Sequence, residues 1–196
     1  MYPPVGKSSA IFADYLIKND LIKGKVIVEI RSGCMPIGIF AAKNGAKRAV
    51  GLDSNVDALR CAQENVIGNS LAGRSSVLTG DNITKDLKEY NGKIDVLFTN
   101  LPWDEISQRD YNKIPKDRKA LSNSFYDVNN QFITSILTEG YNLLSKNGKL
   151  YITATDRVLP RIDKVCQKTN RNYKVVVQEA HKNGNMHYIL EFSAAK

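Results

Sequence analysis

Apolar positions along the chain follow two different periods, which indicates that strands and helices alternate. Short runs that are almost continuously apolar and rich in β-branched residues are typical of strands buried on both faces of a sheet. Such runs predict strands at residues 26–30, 49–53, 77–78, 94–100 and 150–154. Because helical segments separate these runs, the pattern predicts an α/β fold with a mostly parallel sheet.

Helix signals lie between the predicted strands. Pro36 suits the first turn of a helix, where its missing N–H costs no hydrogen bond, and Asn55 or Ser54 can cap the next helix. A long helix is predicted from apolar residues at helical spacing between Phe125 and Leu144, closed by Asn147 and Gly148. Further helices are predicted within the N-terminal segment 1–24 and at about 158–168.

The last part of the chain carries a different signal. Two extended runs, 173–180 and 186–192, flank the dipeptide Asn183–Gly184, which favours a tight hairpin turn. The sheet is therefore expected to have seven strands and to end in an antiparallel pair. Residues 104–123 are polar and charged without clear periodicity, and we expect a loop that contacts the substrate.

Composition limits the classes of protein to which the chain can belong. The 196 residues suit one domain covering 1–196, and the net charge of +8 favours a polyanionic partner such as RNA or the ribosome. Three cysteines without short spacing argue against a disulfide framework, and with two histidines they leave little material for a metal site. No apolar run reaches the length of a membrane span and the N-terminus carries no signal-peptide core, so we expect a cytoplasmic protein.

Two residues at consecutive strand ends predict a ligand site. Ligands of open parallel sheets bind beyond the carboxyl ends of the strands, where Gly33 lets the backbone approach a ligand closely. Asp53 follows 20 positions later, a spacing at which a carboxylate can accept both hydroxyls of a ribose. Alone, Gly33 can simply form a tight turn and Asp53 can cap a helix; together they favour a ligand that contains a nucleoside.

Two further strand ends add polar groups to the same edge. Asp81 and Asn82 can meet an adenine ring and its amine, although a plain Asp-Asn turn explains them equally well. Asn100 and the carbonyl of Leu101 can both accept from a planar NH2 group. Pro102 fixes the local backbone and Trp103 offers a flat face for stacking. A strand end with a core tryptophan is the alternative for this last segment.

At these residues the chain resembles the class I S-adenosylmethionine-dependent methyltransferases. The resemblance runs from residue 26 to 69 and includes the stretches 29–33, 38–46, 50–53 and 62–65. Residues 98–103 are similar to the N-P-P-Y motif of the branch that methylates amino groups of nucleobases or glutamine side chains. The resemblance implies a single Rossmann-like domain with helices on both faces of the sheet.

The resemblance also implies a role for each strand end. Glu29 and Gly33 would line the amino-acid end of S-adenosylmethionine, Asp53 with Ser54 would hold the ribose, and Asp81 with Asn82 would face the adenine. The residues that would hold the target nitrogen are Asn100, Leu101, Pro102 and Trp103, with Asn100 also beside the cofactor.

The glycine loop departs from the family pattern. Arg31 and Met35 stand where the family has glycines, and Leu101 replaces a proline. Arg31 has two open interpretations: it can pair with the cofactor's carboxylate, or it can fill the cofactor's space and repel the sulfonium. The change at Leu101 is milder, because the role needs only a backbone carbonyl.

Residues outside the sheet edge are expected to contact the substrate. Tyr2, Lys7 and Ser8 are placed at the target pocket, and the cationic and aromatic side chains of Arg109, Tyr111 and Lys113 can follow a phosphate backbone or simply be solvated. The expected substrate is RNA or a ribosome-associated protein, with a small activating subunit as a further possible partner. A glutamine methyltransferase and a non-catalytic binding module are the alternatives, whereas the incomplete glycine fingerprint disfavours a nicotinamide oxidoreductase.

Overall fold

The computed structural model describes residues 7–180 and 184–193. The strands are β1 (Val26–Ile30), β2 (Arg48–Asp53), β3 (Ser75–Thr79), β4 (Ile94–Asn100), β5 (Asp104–Ile106), β6 (Tyr126–Val128), β7 (Leu144–Thr155), β8 (Lys174–Ala180) and β9 (Met186–Ser193). The helices are α1 (Lys7–Lys18), α2 (Pro36–Lys43), α3 (Val56–Gly68), α4 (Ile83–Asp86), α5 (Gln108–Asn112), α6 (Lys116–Ser122), α7 (Gln131–Thr138) and α8 (Leu159–Thr169).

Seven strands form one sheet in the order β3-β2-β1-β4-β7-β9-β8. The first five of these strands are parallel, and β9 runs antiparallel to both β7 and β8. The predicted α/β class, the mostly parallel sheet and the antiparallel end are thus confirmed. The predicted position of Tyr2 and part of the predicted hairpin turn lie outside the described residues.

Helices cover both faces of the sheet because successive side chains of a strand point to opposite faces. Ile27 of β1 belongs to a core shared with α1 and α2, whereas Val28 belongs to the core beneath α7 and α8. On the first face Phe12 of α1 stacks on Phe98 of β4 with ring centroids 4.1 Å apart. This double burial explains why β1, β2 and β4 read as nearly continuous apolar runs.

The predicted long helix over residues 125–144 is wrong. The segment contains β6, then α7, then a 3-10 turn at Gly140–Leu143, and Asn147 and Gly148 lie inside β7. Two consecutive asparagines, Asn129 and Asn130, take left-handed backbone angles and end any helix at that point. The carboxylate of Asp127 then accepts from the N–H groups of Phe132 and Ile133, at 2.8 and 3.1 Å, and starts α7 afresh.

The predicted loop over residues 104–123 is also wrong in its local structure. It contains β5, α5 and α6, and β5 pairs in parallel with β6 in a separate two-stranded sheet. Ser107 caps α5 by accepting from the N–H of Asp110, and Pro115 precedes α6. These elements are too short to produce a readable apolar period, which is why the sequence pattern does not reveal them.

None of the helices within the described ranges is both long and apolar enough to pass through a lipid bilayer.

Candidate active site

A cavity of about 710 Å³ opens at the carboxyl ends of β1, β2, β4 and β7. The sheet topology brings these ends together, and ligands of parallel α/β proteins bind at this edge. The sequence-predicted residues that line the cavity are Lys7, Ser8, Glu29, Arg31, Gly33, Asp53, Ser54, Asn100, Leu101, Pro102 and Trp103. Asp81, Asn82, Arg109, Tyr111 and Lys113 are not among the residues that line it.

The loop after β1 keeps the backbone conformation of a glycine loop although two of its glycine positions hold other residues. The φ angles of Arg31, Gly33 and Met35 are +53°, +55° and +59°. The left-handed region costs a non-glycine residue roughly 1–2 kcal/mol, so Arg31 and Met35 are held there by their surroundings. All three positions therefore have backbone angles that favour glycine, including the two that hold other residues.

The side chain of Met35 is fully buried among the residues of α2, α3 and β2. It fills the space left by two other glycines: a Cβ on Gly38 would come within 2.3 Å of the Met35 methyl carbon, and a Cβ on Gly51 within 2.9 Å of its sulfur. Met35 is also absent from the lining of the cavity. The departure from glycine at this position is accommodated on the helix side of the loop and leaves the cavity open.

Asp53, at the end of β2, braces this loop from the neighbouring strand. Its Oδ2 accepts from the N–H of Gly33 at 2.8 Å, and its Oδ1 accepts from the N–H of Asn55 at 2.9 Å. The side chain of Asn55 in turn caps α3. Each carboxylate oxygen has a further acceptor position, so Asp53 can hold the loop and still accept from a ligand hydroxyl.

Glu29 is the buried acid at the floor of the cavity. Its Oε2 accepts from the N–H of Gly38 at 2.9 Å in the first turns of α2. Burial raises the pKa of Glu29 to about 8; the N–H groups of Gly38 and Ile37 act against this shift and the charge of Asp53 adds to it. A ligand cation at this acid would restore the charged carboxylate.

The raised pKa of Glu29 predicts a pH-dependent stability. Because the pKa lies above the ordinary value of 4.5, the folded chain holds this proton more tightly than the unfolded chain does. The stabilisation that Glu29 contributes through this proton is complete below about pH 4.5. It is lost as the pH rises through about 8, by at most about 1.4 kcal/mol per pH unit. Between about pH 6 and 8, the free energy of unfolding measured in urea should fall by about 2 kcal/mol more in wild type than in Glu29→Gln. An equal change in the free energy of unfolding with pH in the two proteins would contradict this prediction.

Arg31 crosses the cavity instead of pointing along it. Its Nη1 donates to the carbonyl of Asn123 at 2.9 Å, and its guanidinium lies 3.8 Å from the ring centroid of Phe132. Burial lowers the pKa of Arg31, and the nearby charges of Asp127, Asp53 and Asp81 oppose that shift. The guanidinium therefore lies close enough to these three carboxylates for their charges to stabilise it.

The Arg31–Asn123 contact separates a second cavity from the first. This second cavity has a volume of about 280 Å³, and Arg31, Asn123, Asp81 and Tyr111 are among its lining residues. Asn82 lines neither of these two cavities. Its side chain caps α4 by accepting from the N–H of Lys85 at 2.8 Å. Of the two residues predicted to face an adenine, Asp81 thus lies in the second cavity, across the Arg31–Asn123 contact from Asp53, and Asn82 lies in neither cavity.

The segment after β4 is held on several sides. The hydroxyl of Thr153, on neighbouring β7, donates to Oδ1 of Asn100, and the carbonyl of Pro102 accepts from Nη2 of Arg161 at 2.8 Å. Leu101 and Pro102 are buried. Trp103 is 44% exposed, so it is not the core tryptophan of the alternative interpretation, and its ring meets Phe125 edge to face at 6.4 Å.

The expected substrate residues divide into two groups. Lys7 and Ser8 line the cavity, where the Ser8 hydroxyl lies 3.1 Å from Nδ1 of His187 and Lys7 donates to the carbonyl of Ala180 at 2.7 Å. Directly after α5, Lys113 pairs with Asp110 at 2.6 Å. The Tyr111 hydroxyl donates to Oδ1 of Asn123 at 2.9 Å.

Several cavity residues escaped the sequence analysis. They are Leu121, Asn123, Thr153, Arg157 and His187. His187 reaches the site only because β9 pairs with β7, where it lies opposite Thr155. The Asn-Gly signal predicts that the last two strands pair with each other, but it does not indicate that β9 lies beside β7.

Comparison with known proteins relates the chain to methyltransferases, although no family model matches it. It is 32% identical over 111 residues to the ribosomal RNA large subunit methyltransferase K/L of Alteromonas mediterranea, covering 51% of this chain and 16% of that protein. It is 38% identical over 93 residues to a putative protein N5-glutamine methyltransferase of Methanocaldococcus jannaschii, covering 45% and 42%. The matches thus span less than half the length of either relative.

Solved structures of similar fold cover nearly the whole chain. The ribosomal protein L11 methylase of Lactobacillus delbrueckii subsp. bulgaricus has a TM-score of 0.63 at 14% identity, covering 98% of this chain and 81% of that one. The Bacillus subtilis tRNA methyltransferase TrmK has a TM-score of 0.65 at 16% identity, covering 98% and 67%. Part of the chain is therefore similar in sequence to methyltransferases, and its Rossmann-like fold is that of solved methyltransferase structures.

Proposed function

We propose that the chain is an S-adenosylmethionine-dependent methyltransferase that modifies a planar amino nitrogen of an RNA base. The observation that carries this proposal is the meeting of two sets of residues in one cavity. Gly33, in the loop after β1, and Asp53, at the end of β2, suit a nucleoside, and Asn100 to Trp103 bring two acceptors and an aromatic face beside them.

The cavity fits S-adenosylmethionine in size and in chemistry. A volume of about 710 Å³ lies within the range of about 300–1,000 Å³ that small-molecule sites occupy. A Cβ built on Gly33 would meet no atom within 4 Å, so the space next to this residue is open to a ligand. Glu29 would take the amino-acid end and Asp53 with Ser54 the ribose. When bound, the cofactor supplies an activated methyl group.

The chain's own residues contribute positioning and charge stabilisation. A planar amino nitrogen is a poor nucleophile because its lone pair is delocalised. Acceptance of its N–H bonds by Asn100 Oδ1 and the Leu101 carbonyl favours pyramidal geometry and stabilises the positive charge that develops on nitrogen. The Thr153 hydroxyl uses one lone pair of Asn100 Oδ1 and leaves the other for the target amine.

RNA is supported as the substrate by charge and by the first relative. The net charge of +8 suits a polyanion, and that relative is named for ribosomal RNA. The glutamine amide of a release factor or ribosomal protein is the second candidate, because the other relative is named for that reaction. Both substrates present a planar NH2 group, so the same acceptors serve either.

Transfer of labelled methyl groups separates these candidates. The chain is incubated with methyl-labelled S-adenosylmethionine and, separately, with deproteinised total RNA and with RNA-free ribosomal proteins and release factors. Label in a methylamino nucleoside after nuclease digestion supports the RNA enzyme. Label in N5-methylglutamine supports the protein enzyme, and label in neither fraction contradicts both.

The position of Arg31 predicts a gain of affinity on its removal. Arg31→Gly removes a positive charge and the barrier between the two cavities, and it relieves the left-handed strain at this residue. The affinity for S-adenosylmethionine should rise about tenfold or more, which corresponds to about 1.4 kcal/mol. Calorimetric titration of wild type, Arg31→Gly and Arg31→Lys measures the change. Unchanged or weaker binding by Arg31→Gly would contradict this interpretation of Arg31.

A further inference from the structure

We propose that a group of cations at the amino edge of the sheet, the edge opposite to the cavity, binds the phosphate backbone of RNA. The inference rests on the proposed function, because it names a surface that would hold the RNA substrate outside the cavity. The group lies at or shortly before the first residues of β1, β2 and β3 and is called the amino-edge patch: Lys23, Lys25, Lys47, Arg48 and Arg74.

The parallel pairing of β1 and β2 brings Lys25 and Lys47 side by side. Its register continues one step before the first paired residues, since the N–H of Lys47 donates to the carbonyl of Lys25 at 2.9 Å. Neighbouring strands are about 4.8 Å apart, so these two side chains leave the backbone close together. Lys23 joins them from the preceding turn, because its Cγ lies 3.7 Å from the position of a Cβ on Gly45.

The pairing of β2 and β3 places Arg48 beside Arg74 in the same way. Ala49 lies opposite Ser75, and the N–H of Ala49 donates to the carbonyl of Arg74 at 2.9 Å. The residues one step earlier are therefore also neighbours, at about the same strand spacing. Two pairs of like charge thus follow one another along this edge of the sheet.

The patch lacks a neutralising carboxylate within residues 7–180 and 184–193. In these ranges none of the five cations forms an ion pair or a side-chain hydrogen bond. Asp95 reaches the same edge but is engaged elsewhere: its Oδ2 accepts from the N–H of Val26 at 2.9 Å and its Oδ1 from the hydroxyl of Ser145 at 3.0 Å. Because like charges on neighbouring strands destabilise a sheet, a bound anion would relieve a cost that the chain itself leaves in place.

Helix polarity explains another cation near this edge but not the patch. Lys43 is the last residue of α2, where the helix dipole stabilises a positive charge, and its Nζ donates to Oδ1 of Asn69 at 3.0 Å. The patch residues lie outside the helices, in turns and at the start of β2. Their accumulation is therefore better explained by an anionic partner.

The phosphates of RNA suit the patch better than a lipid surface does. The forked guanidinium of arginine and the ammonium of lysine both bind phosphate. Peripheral membrane binding usually requires a helix with an exposed apolar face, whereas α1, the helix before the patch, buries Ile11, Phe12 and Leu16 in the core. Since β1 has five residues, the patch lies about 17 Å from the cavity edge, and a folded RNA is large enough to contact both.

Binding of RNA at different salt concentrations tests the patch. The full chain is titrated without cofactor into a fluorescein-labelled RNA hairpin, and fluorescence anisotropy gives the dissociation constant over a series of KCl concentrations. Two double variants are compared with wild type: Lys25→Gln with Lys47→Gln, and Arg48→Gln with Arg74→Gln. Each should weaken binding about tenfold at low salt and reduce the slope of log K against log salt by about 1.5, because two phosphate contacts are lost.

Lys164→Gln with Lys168→Gln is the matched control. It removes the same charge from exposed positions of α8, which precedes β8 at the other end of the sheet, and its slope should equal that of wild type. Equal losses in the control and in the patch variants would reveal an effect of net charge alone and would overturn the patch. If a double variant fails to fold, as judged by circular dichroism, Arg74→Gln replaces it, since Arg74 is exposed and lies before β3.

Two further readouts separate the partner and the function from the patch. Vesicles of phosphatidylserine and phosphatidylcholine are the second probe, and loss of vesicle binding with unchanged RNA binding in the patch variants would overturn RNA as the partner. Methyl transfer is measured independently. If wild type binds RNA through the patch but transfers no methyl group, the proposed function fails and the patch stands. If RNA is methylated and its binding is the same in wild type and in the patch variants, the patch alone fails.

Discussion

Asn100→Ala should lower methyl transfer by about 10²- to 10³-fold, the loss typical for removal of one preorganised polar group at developing charge. Asn100 stands at the end of β4, and its amide oxygen is held by Thr153 at the rim of the cavity. The substitution removes an acceptor for the target amine and leaves Glu29, Gly33 and Asp53 in place. The dissociation constant for S-adenosylmethionine should therefore change by less than about threefold.

Two measurements on the same preparations test whether Asn100→Ala lowers the rate of methyl transfer without changing the affinity for the cofactor. Single-turnover transfer of labelled methyl groups gives the rate, and calorimetric titration gives the cofactor affinity. Thr153→Val is the informative companion variant, because it leaves Asn100 present and removes only the hydroxyl that orients it. We expect it to fall between wild type and Asn100→Ala. Full turnover by Asn100→Ala would contradict the assignment of the target amine to this residue.

Asp53→Ala should abolish cofactor binding, with a loss of affinity of at least about 100-fold, or about 2.7 kcal/mol. Two effects combine: the ribose loses its acceptor, and the N–H of Gly33 loses the carboxylate that fixes the loop. Because two backbone donors lose their partner, the free energy of unfolding should also fall by about 2 kcal/mol.

The control for Asp53→Ala is Asp57→Ala, only four residues away. Asp57 is exposed on the first turn of α3 and pairs with Arg60 at 3.0 Å, so its loss should leave cofactor affinity unchanged. Titration calorimetry and urea unfolding of both variants measure the two effects separately. Equal affinity of Asp53→Ala and wild type would contradict the placement of the ribose at β2.

Local sequence signals predict the sheet well because its strands are buried on both faces. The strands β1, β2 and β4 are predicted from continuous runs of apolar residues. Pro36 and Asn55 indicate where α2 and α3 begin. These strand ends also line the candidate cavity, so the sequence predicts that Gly33, Asp53 and Asn100 lie at the same edge of the sheet. A parallel sheet brings such residues together whatever its loops do.

The segment between β4 and β7 could not be predicted, because its structure depends on contacts far apart in sequence. Val128 and Phe132 mimic one helical face, although the left-handed turn at Asn129 and Asn130 separates a strand from a helix there. In the same way, nothing local indicates that His187 borders the cavity, since only the pairing of β9 with β7 brings it there.

In the glycine loop, two substitutions that look equivalent in the sequence have different structural consequences. Arg31 and Met35 interrupt the family pattern equally in the sequence. In the structure Met35 turns into the helix layer beneath Gly38 and Gly51, while Arg31 crosses to Asn123 and Phe132. The direction of each side chain depends on its backbone angles and on the residues packed around it, and neither can be read from the local sequence.

Calorimetric titration of the purified chain with S-adenosylmethionine, and with its demethylated product, tests the central claim most directly. The account predicts saturable binding of both compounds, with dissociation constants between about 1 µM and 1 mM, and loss of that binding in Asp53→Ala. Absence of binding heat with both compounds, from a chain shown to be folded, would contradict it.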